Sequence, residues 1–345
     1  MAKLRRVVPF VDPGYTRVRV GEGHQFVNAR GKRVGAKDDV RIRALVIPPA
    51  WTDVWISARP DGHIQVVGTD AAGRKQYMYH PTWSEDRDKG KFARALDLAA
   101  SLPRARARVT QALRTEGLSR ERVLGVAFRL LDQAAPRVGS TAYLKANGSR
   151  GLTTLQRRDA EVDGSTVILS FPAKSGKRAL LRIDDPLLAE AVAELKAGRP
   201  TAPLLAYRRK RSRVALSAGD VNAHLRALTG GPFTAKDFRT LRGTVSAADA
   251  LARIGTVDTK KDLARAEKLA VRATADALGN TPSVARASYI DPRVFTEYRK
   301  GNVMSLEGSR DAAIRALILG DAADRPATAD DRARSRRRRR STVKR

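Results

Sequence analysis

The chain has 345 residues, 42 % of them hydrophobic and 30 % charged, enough apolar side chain for a packed core in each of two domains. Its formal charge of +31, from 67 Lys+Arg against 36 Asp+Glu, points to a polyanionic partner such as nucleic acid. Cysteine is absent, which excludes disulfides, thiolate nucleophiles and cysteine-held metals and leaves covalent chemistry to oxygen or nitrogen.

No apolar run reaches the roughly 18 residues of a membrane helix. The N-terminal stretch MAKLRRVVPFVDPG lacks the apolar core and cleavage site of a signal peptide. A membrane is therefore not expected as a partner, and a cytoplasmic location is.

Residues 1–90 hold short β-type runs, FVNARGKRV, RALVIP, DVWISA, HIQVVGTD and KQYMYHP, separated by Gly, Pro and Asp. They predict a small β-rich domain with few helices. In the last run Gln76, Tyr77 and Tyr79 alternate, so Tyr77 and Tyr79 share a face opposite Gln76. That pattern suits an amphipathic strand with two half-buried tyrosines, and equally a strand that offers them to a partner.

From about residue 91 the period becomes helical, as in SRERVLGVAFRLLDQAA, where Val123, Val126, Ala127, Leu130 and Leu131 share one face. A boundary near 85–95 and a mainly helical domain over 91–320 follow. Within it TTLQ, STVILSF and RALLRI predict a three-stranded sheet, the last two strands joined by the turn PAKSGK. Helices resume at DPLLAEAVAELKAG, with Asp185 as N-cap and Gly198 past the end. The run TKKDLARAEKLAVRATADALG predicts a helix closing at Gly279. Thr281-Pro282 opens a short helix ending near Tyr289, and Asp291-Pro292 caps the next. Residues 321–345 form a basic tail expected to be disordered; its final segment RARSRRRRRSTVKR holds nine Lys/Arg and no acid.

Taken singly, the candidate chemical residues each admit a plain reading. Arg137 after Pro136 suits a helix-end arginine facing carbonyls, Lys174 a solvated turn lysine, and Tyr289 a core or surface aromatic, since a phenol with pKa about 10 is a poor nucleophile. Lys236 and Arg239 lie three apart on one helical face, where like charges repel unless an anion sits between them. The four histidines, His24, His63, His80 and His224, are scattered and form no ligand spacing, so no metal is expected.

In combination these residues follow a known order. RVGS with Arg137, AKSGK with Lys174, KDFRT with Lys236 and Arg239, GN with Asn280 and ARASYID with Tyr289 resemble the type IB DNA topoisomerases, in particular the small viral and bacterial enzymes. The string GTDAAGRKQYMYHPTW strengthens the resemblance, its GRKQYMY being similar to that family's DNA-facing strand, and the resemblance covers roughly residues 20–300.

The resemblance implies an α+β fold: a small β-rich N-terminal domain and a larger, mainly helical catalytic domain with a three-stranded sheet, clamped around duplex DNA. It implies supercoil relaxation by attack of Tyr289 on a backbone phosphate, a 3′-phosphotyrosyl link, strand rotation and religation, without metal, ATP or other cofactor. Arg137 and Arg239 are then the donors to the transition-state phosphate, Lys174 the general acid, Lys236 an auxiliary group and Asn280 a hydrogen-bond donor where viral and nuclear members carry histidine. Arg74, Gln76, Tyr77 and Tyr79 are the expected DNA contacts. One chain carries the full set, so a monomer in the nucleoid is expected.

Two alternatives remain on sequence grounds. A tyrosine recombinase shares the Arg, Lys, Arg and Tyr, although here the N-terminus is β-type and KDFRT is followed by LRGTVS without histidine. A non-catalytic architectural DNA binder needs only the charge.

Overall fold

The computed structural model describes residues 4–320 apart from positions 22 and 72. The tail expected at 321–345 lies outside the described residues. The chain divides into two compact units, the first ending at Gly90 and the second beginning at Lys91.

The first unit contains β1 (Gly14–Val20), β2 (Gly23–Asn28), α1 (Ala36–Ala44), β3 (Thr52–Ser57), β4 (Ile64–Thr69) and β5 (Lys75–Tyr79). The strands form one antiparallel sheet in the order β2-β1-β3-β4-β5. Val54 and Ile56 of β3 enter one apolar cluster with Phe26, Ile42 and Val66, while Trp55 enters another with Val7, Ile64 and Val67. Strict alternation would put Ile64 and Val66 on the same face; a register shift between them sends them to different clusters.

RALVIP is not a strand. Its first residues close α1, which Asp38 and Asp39 in the first turn and Arg41 and Arg43 in the last turn stabilise, and which the fully buried Ile42 anchors. Strand β1 was hidden in the sequence by its arginines. Arg17 spends its guanidinium on the carbonyls of Ile47, Pro48 and Pro49, so a charged side chain belongs to the fold there.

Helix α2 (Pro81–Leu113) starts about ten residues before its apolar period becomes visible. Pro81 suits a first turn, His80 Nδ1 accepts from the Thr82 N–H at 3.3 Å, and the charged run SEDRDKGK masks the period. Then follow α3 (Arg120–Ala134), α4 (Thr141–Asn147), β6 (Ala160–Asp163), β7 (Thr166–Pro172), β8 (Arg178–Asp184) and α5 (Pro186–Lys196). They are succeeded by β9 (Ala206–Arg209), β10 (Ser212–Ala215), α6 (Ala218–Thr229), α7 (Ala235–Ile254), α8 (Lys260–Leu278), α9 (Pro282–Ser288), α10 (Pro292–Arg299) and α11 (Arg310–Leu319).

The three-stranded sheet has the order β6-β7-β8. Its first strand is AEVD rather than TTLQ: Leu152–Thr154 forms a 3-10 turn, closed by the Thr154 hydroxyl accepting from the Gly151 N–H at 2.9 Å. Strands β9 and β10 make a separate two-stranded ribbon whose charged RRKRSR sequence carries no alternation to announce it.

Helix α3 is the strut of the second unit. Leu124, Val126, Ala127, Phe128, Leu130 and Leu131 are all buried, and α5, α6, α7, β8 and β9 pack around it. Such enclosure fixes the middle of the helix in the core. Among the described residues no helix is long and apolar enough to cross a membrane.

Candidate active site

Three helix ends meet at the site. The first is the C-terminus of α3, capped by Ala135 in the left-handed conformation at φ 45°, its N–H bonded to the Leu131 carbonyl. A non-glycine residue with positive φ is uncommon, and here it turns the chain sharply into Pro136 and Arg137. The Arg137 and Val138 carbonyls then accept from the N–H groups of Leu152 and Thr153 at 2.8 and 2.9 Å, which pins the RVGS segment.

The second end is the start of α7, where the Asp237 carboxylate accepts from both the N–H and the hydroxyl of Thr234 at 2.9 Å. Lys236 stays exposed, whereas Arg239 turns inward with 5 % exposure. Phe238 meets Phe128 edge to face at 5.6 Å, tying this turn of α7 to α3.

The third end is that of α8. Gly279 takes the left-handed cap at φ 60°, where a Cβ is unfavourable, and the N–H groups of Gly279 and Asn280 bond back to Asp276 and Ala275. Thr281 caps α9 with Pro282 in its first turn, Tyr289 ends that helix, and Asp291 caps α10. Tyr289 is half-buried at this junction.

These ends bring Arg137, Arg239, Asn280 and Tyr289 together. Arg239 donates to the carbonyls of Ala135 at 2.7 Å and Leu278 at 2.9 Å, so one guanidinium bridges the ends of α3 and α8. Its centre lies 4.9 Å from the centre of the Tyr289 ring. Arg137 donates to Asn280 Oδ1 at 2.5 Å.

The electrostatics follow from this packing. Burial lowers the pKa of Arg239, yet a guanidinium stays charged at any working pH. Burial alone would raise the Tyr289 phenol, but the positive charges of Arg239, Arg137 and Lys236 outweigh it and hold the phenol below its ordinary value.

Among the described residues no carboxylate pairs with Arg137, Lys236 or Arg239, whereas Arg106, Arg122 and Arg150 each meet at least one. Arg239 Nε and Asn280 Nδ2 are buried with no hydrogen-bond partner. The site therefore presents uncompensated positive charge and orphan donors, the inverse of a structural ion pair.

A polar network that sequence inspection missed supports it from behind. Asp132, 3 % exposed near the end of α3, accepts from Arg106 of α2 at 2.7 Å and from Arg242 of α7 at 2.5 Å, and both arginines also reach Asp311 of α11. Burial works to raise the Asp132 pKa, and the two arginines override it to hold the carboxyl below its ordinary value. The only advance signal was the spacing of Arg242, three residues after Arg239.

Lys174 lies exposed on the 3-10 turn Lys174–Gly176 between β7 and β8, and among the described residues no hydrogen bond or ion pair joins it to the other four. In the first unit Arg74 and Gln76 both bond Asp70, at 2.9 and 2.8 Å. The rings of Tyr77, which is 45 % exposed, and Tyr79 stack with centres 6.2 Å apart. Among the described residues no group of three or more His, Asp or Glu is placed to hold a metal ion.

Residues 80–307 match the family described as eukaryotic DNA topoisomerase I, catalytic core, and residues 23–70 match the N-terminal domain of bacterial DNA topoisomerase IB. The chain belongs to the type IB DNA topoisomerases and is thereby a type I topoisomerase, an isomerase with DNA as substrate. A specific relative is DNA topoisomerase 1B of Acanthamoeba polyphaga mimivirus, 27 % identical over 294 residues that cover 83 % of this chain and 88 % of the relative. Membership in this family decides against the recombinase and architectural alternatives.

Proposed function

We propose that the protein relaxes supercoiled duplex DNA through a 3′-phosphotyrosyl intermediate on Tyr289, as a monomer of the nucleoid that needs neither metal nor ATP. The observation that carries this reading is the meeting of a half-buried tyrosine with two arginines that have no carboxylate partner.

In this mechanism Tyr289 loses its proton to solvent, favoured by the surrounding charge, and its oxygen attacks a backbone phosphorus in line with the bond to the 5′-oxygen. The P–O5′ bond breaks as the Oη–P bond forms. Negative charge builds on the non-bridging oxygens, where fixed donors stabilise the transition state more than the ground state.

Arg239 has five N–H groups and spends two on carbonyls, and those it does not also turn on the Tyr289 phenol are the proposed donors to phosphate. Arg137 spends one on Asn280 and keeps four. The orphan Nδ2 of Asn280 is a further neutral donor. Lys236, exposed one turn before Arg239, adds charge to the same face.

The departing 5′-oxygen needs a proton, and Lys174 is the proposed general acid. Its long side chain on an exposed turn is free to reach the departing oxygen of a bound duplex. The rotated strand's 5′-hydroxyl then attacks the phosphotyrosine, returning the proton to Lys174 and releasing Tyr289.

The two units, 1–90 and 91–320, are proposed to clamp the duplex, with Arg74, Gln76, Tyr77 and Tyr79 toward DNA. Gln76 is suited to an adenine edge and Arg74 to phosphate once Asp70 releases them.

The test is a denaturant-resistant adduct between wild-type protein and duplex DNA, with relaxation of plasmid in EDTA without ATP. Tyr289→Phe should abolish the adduct and leave salt-sensitive binding in place. Absence of a wild-type adduct refutes the mechanism.

A further inference from the structure

The backbone of Tyr289 is held as closely as its ring. Helix α7 passes beside it, and a Cβ built on Gly243 would lie 2.7 Å from the Tyr289 carbonyl oxygen and 2.8 Å from Tyr289 Cβ. Both distances are shorter than real side chains tolerate, and the atoms met belong to the nucleophile's own backbone and its Cβ. Only glycine lets α7 and the α9–α10 junction approach this far.

The next residue completes the contact. Thr244, 2 % exposed, places its hydroxyl 3.2 Å from the Tyr289 carbonyl and 2.9 Å from that of Thr240, so one proton is shared between two acceptors. The Thr244 hydroxyl oxygen itself accepts from the Asp291 N–H at 3.1 Å. Tyr289 is thus gripped on its C-terminal side by a hydroxyl that also fixes the cap of α10. Its ring is faced by Arg239, one helical turn earlier on α7.

We infer that Gly243 and Thr244 are positioning residues for the nucleophile, which α7 grips by ring and by backbone in one rigid piece. The inference rests on Tyr289 being the nucleophile and adds how it is aimed. Cleavage and religation pass through the same transition state, and in both the phenolic oxygen must stand in line with the departing or entering oxygen. A grip that is equal in the free and covalently loaded protein raises both rates together and leaves their ratio unchanged. Its value to a topoisomerase is that the tyrosyl phosphate stays aimed while the other strand end rotates.

The experiment compares wild type, Thr244→Val, Thr244→Ser and Gly243→Ala in single-turnover cleavage and religation on a duplex, with noncovalent DNA binding and Tm measured alongside. Valine keeps the shape and removes the hydroxyl. The expected result is a fall of about tenfold or more in both rates for Thr244→Val, a cleavage equilibrium within about twofold of wild type, and binding unchanged. Serine restores both rates, and Gly243→Ala, where it folds, loses at least as much as Thr244→Val.

Wild-type rates in Thr244→Val, or a change in only one of the two rates, overturn the inference and leave the nucleophile assignment standing. A fall that tracks Tm and disappears on cooling also overturns it, since that marks stability alone. Failure of the wild type to form an adduct refutes the assignment itself, a distinct outcome.

Discussion

The guanidinium of Arg239 faces the ring of Tyr289 at 4.9 Å while two of its N–H groups are committed to the carbonyls of Ala135 and Leu278. One buried cation thus ties together the ends of α3 and α8 and sets the charge felt by the phenol. Structure and electrostatics are one device here, and the effects of mutation follow from that.

Arg239→Lys should be nearly as damaging as Arg239→Ala. An ammonium is a compact point charge and cannot span both carbonyls while presenting a planar fork to phosphate. A single transition-state donor is worth about 2.7–4 kcal/mol, so a fall of about a hundredfold to a thousandfold in the single-turnover cleavage rate is expected for either variant. A lysine variant within tenfold of wild type would show that charge alone suffices.

The pH profile of cleavage should respond to Lys236. Its charge helps hold the Tyr289 phenol below its ordinary value, so Lys236→Ala moves phenol ionisation upward. Cleavage should then be slower on the limb where the phenolate fraction limits the rate, and should recover as pH rises. A variant slowed equally at every pH would indicate that Lys236 contributes only a phosphate contact.

Asn280→His should retain activity. The orphan Nδ2 is a neutral donor in want of an acceptor, and an imidazole N–H supplies the same kind of donor without a titrating proton being needed. A loss of more than about a hundredfold in cleavage rate would count against this role.

Asp132 should govern stability toward acid. Its folded pKa is depressed by Arg106 and Arg242, so its contribution is present above the unfolded carboxyl value of about 4 and is lost as pH falls through the folded value. Asp132→Asn should flatten the acid limb of an unfolding curve. Asp132→Ala should cost about 3–5 kcal/mol in denaturant unfolding at neutral pH, because it leaves two cations to share the single carboxylate of Asp311. A loss under about 1 kcal/mol would mean that the arginines find water instead.

Local order in the sequence anticipated much of this molecule. Asp185, Gly279, Thr281 and Asp291 act as caps where their identities predicted them, because capping is a contest between one side chain and the few N–H or C=O groups beside it. The mixed helix-and-sheet character and the small N-terminal sheet domain were legible for the same local reason. Charge misled. Arg17 in β1 and the RRKRSR ribbon obscured real strands, and RALVIP carried β-formers into the end of a helix whose charged ends and buried Ile42 prevailed.

By itself the sequence determined the basic character, the absence of thiol chemistry and the junction that leaves Tyr289 between two helices. Tertiary structure alone decided that Arg137, Arg239 and Asn280, as much as 143 residues apart, share that junction, and that Lys174 sits on an exposed turn between two strands. It alone set Asp132 between two arginines and Gly243 and Thr244 against Tyr289, since a buried carboxylate and a missing Cβ have meaning only once two helices press together. Local rules place the ends of helices; which ends meet is settled by packing around the enclosed α3, an interaction no short window of residues contains.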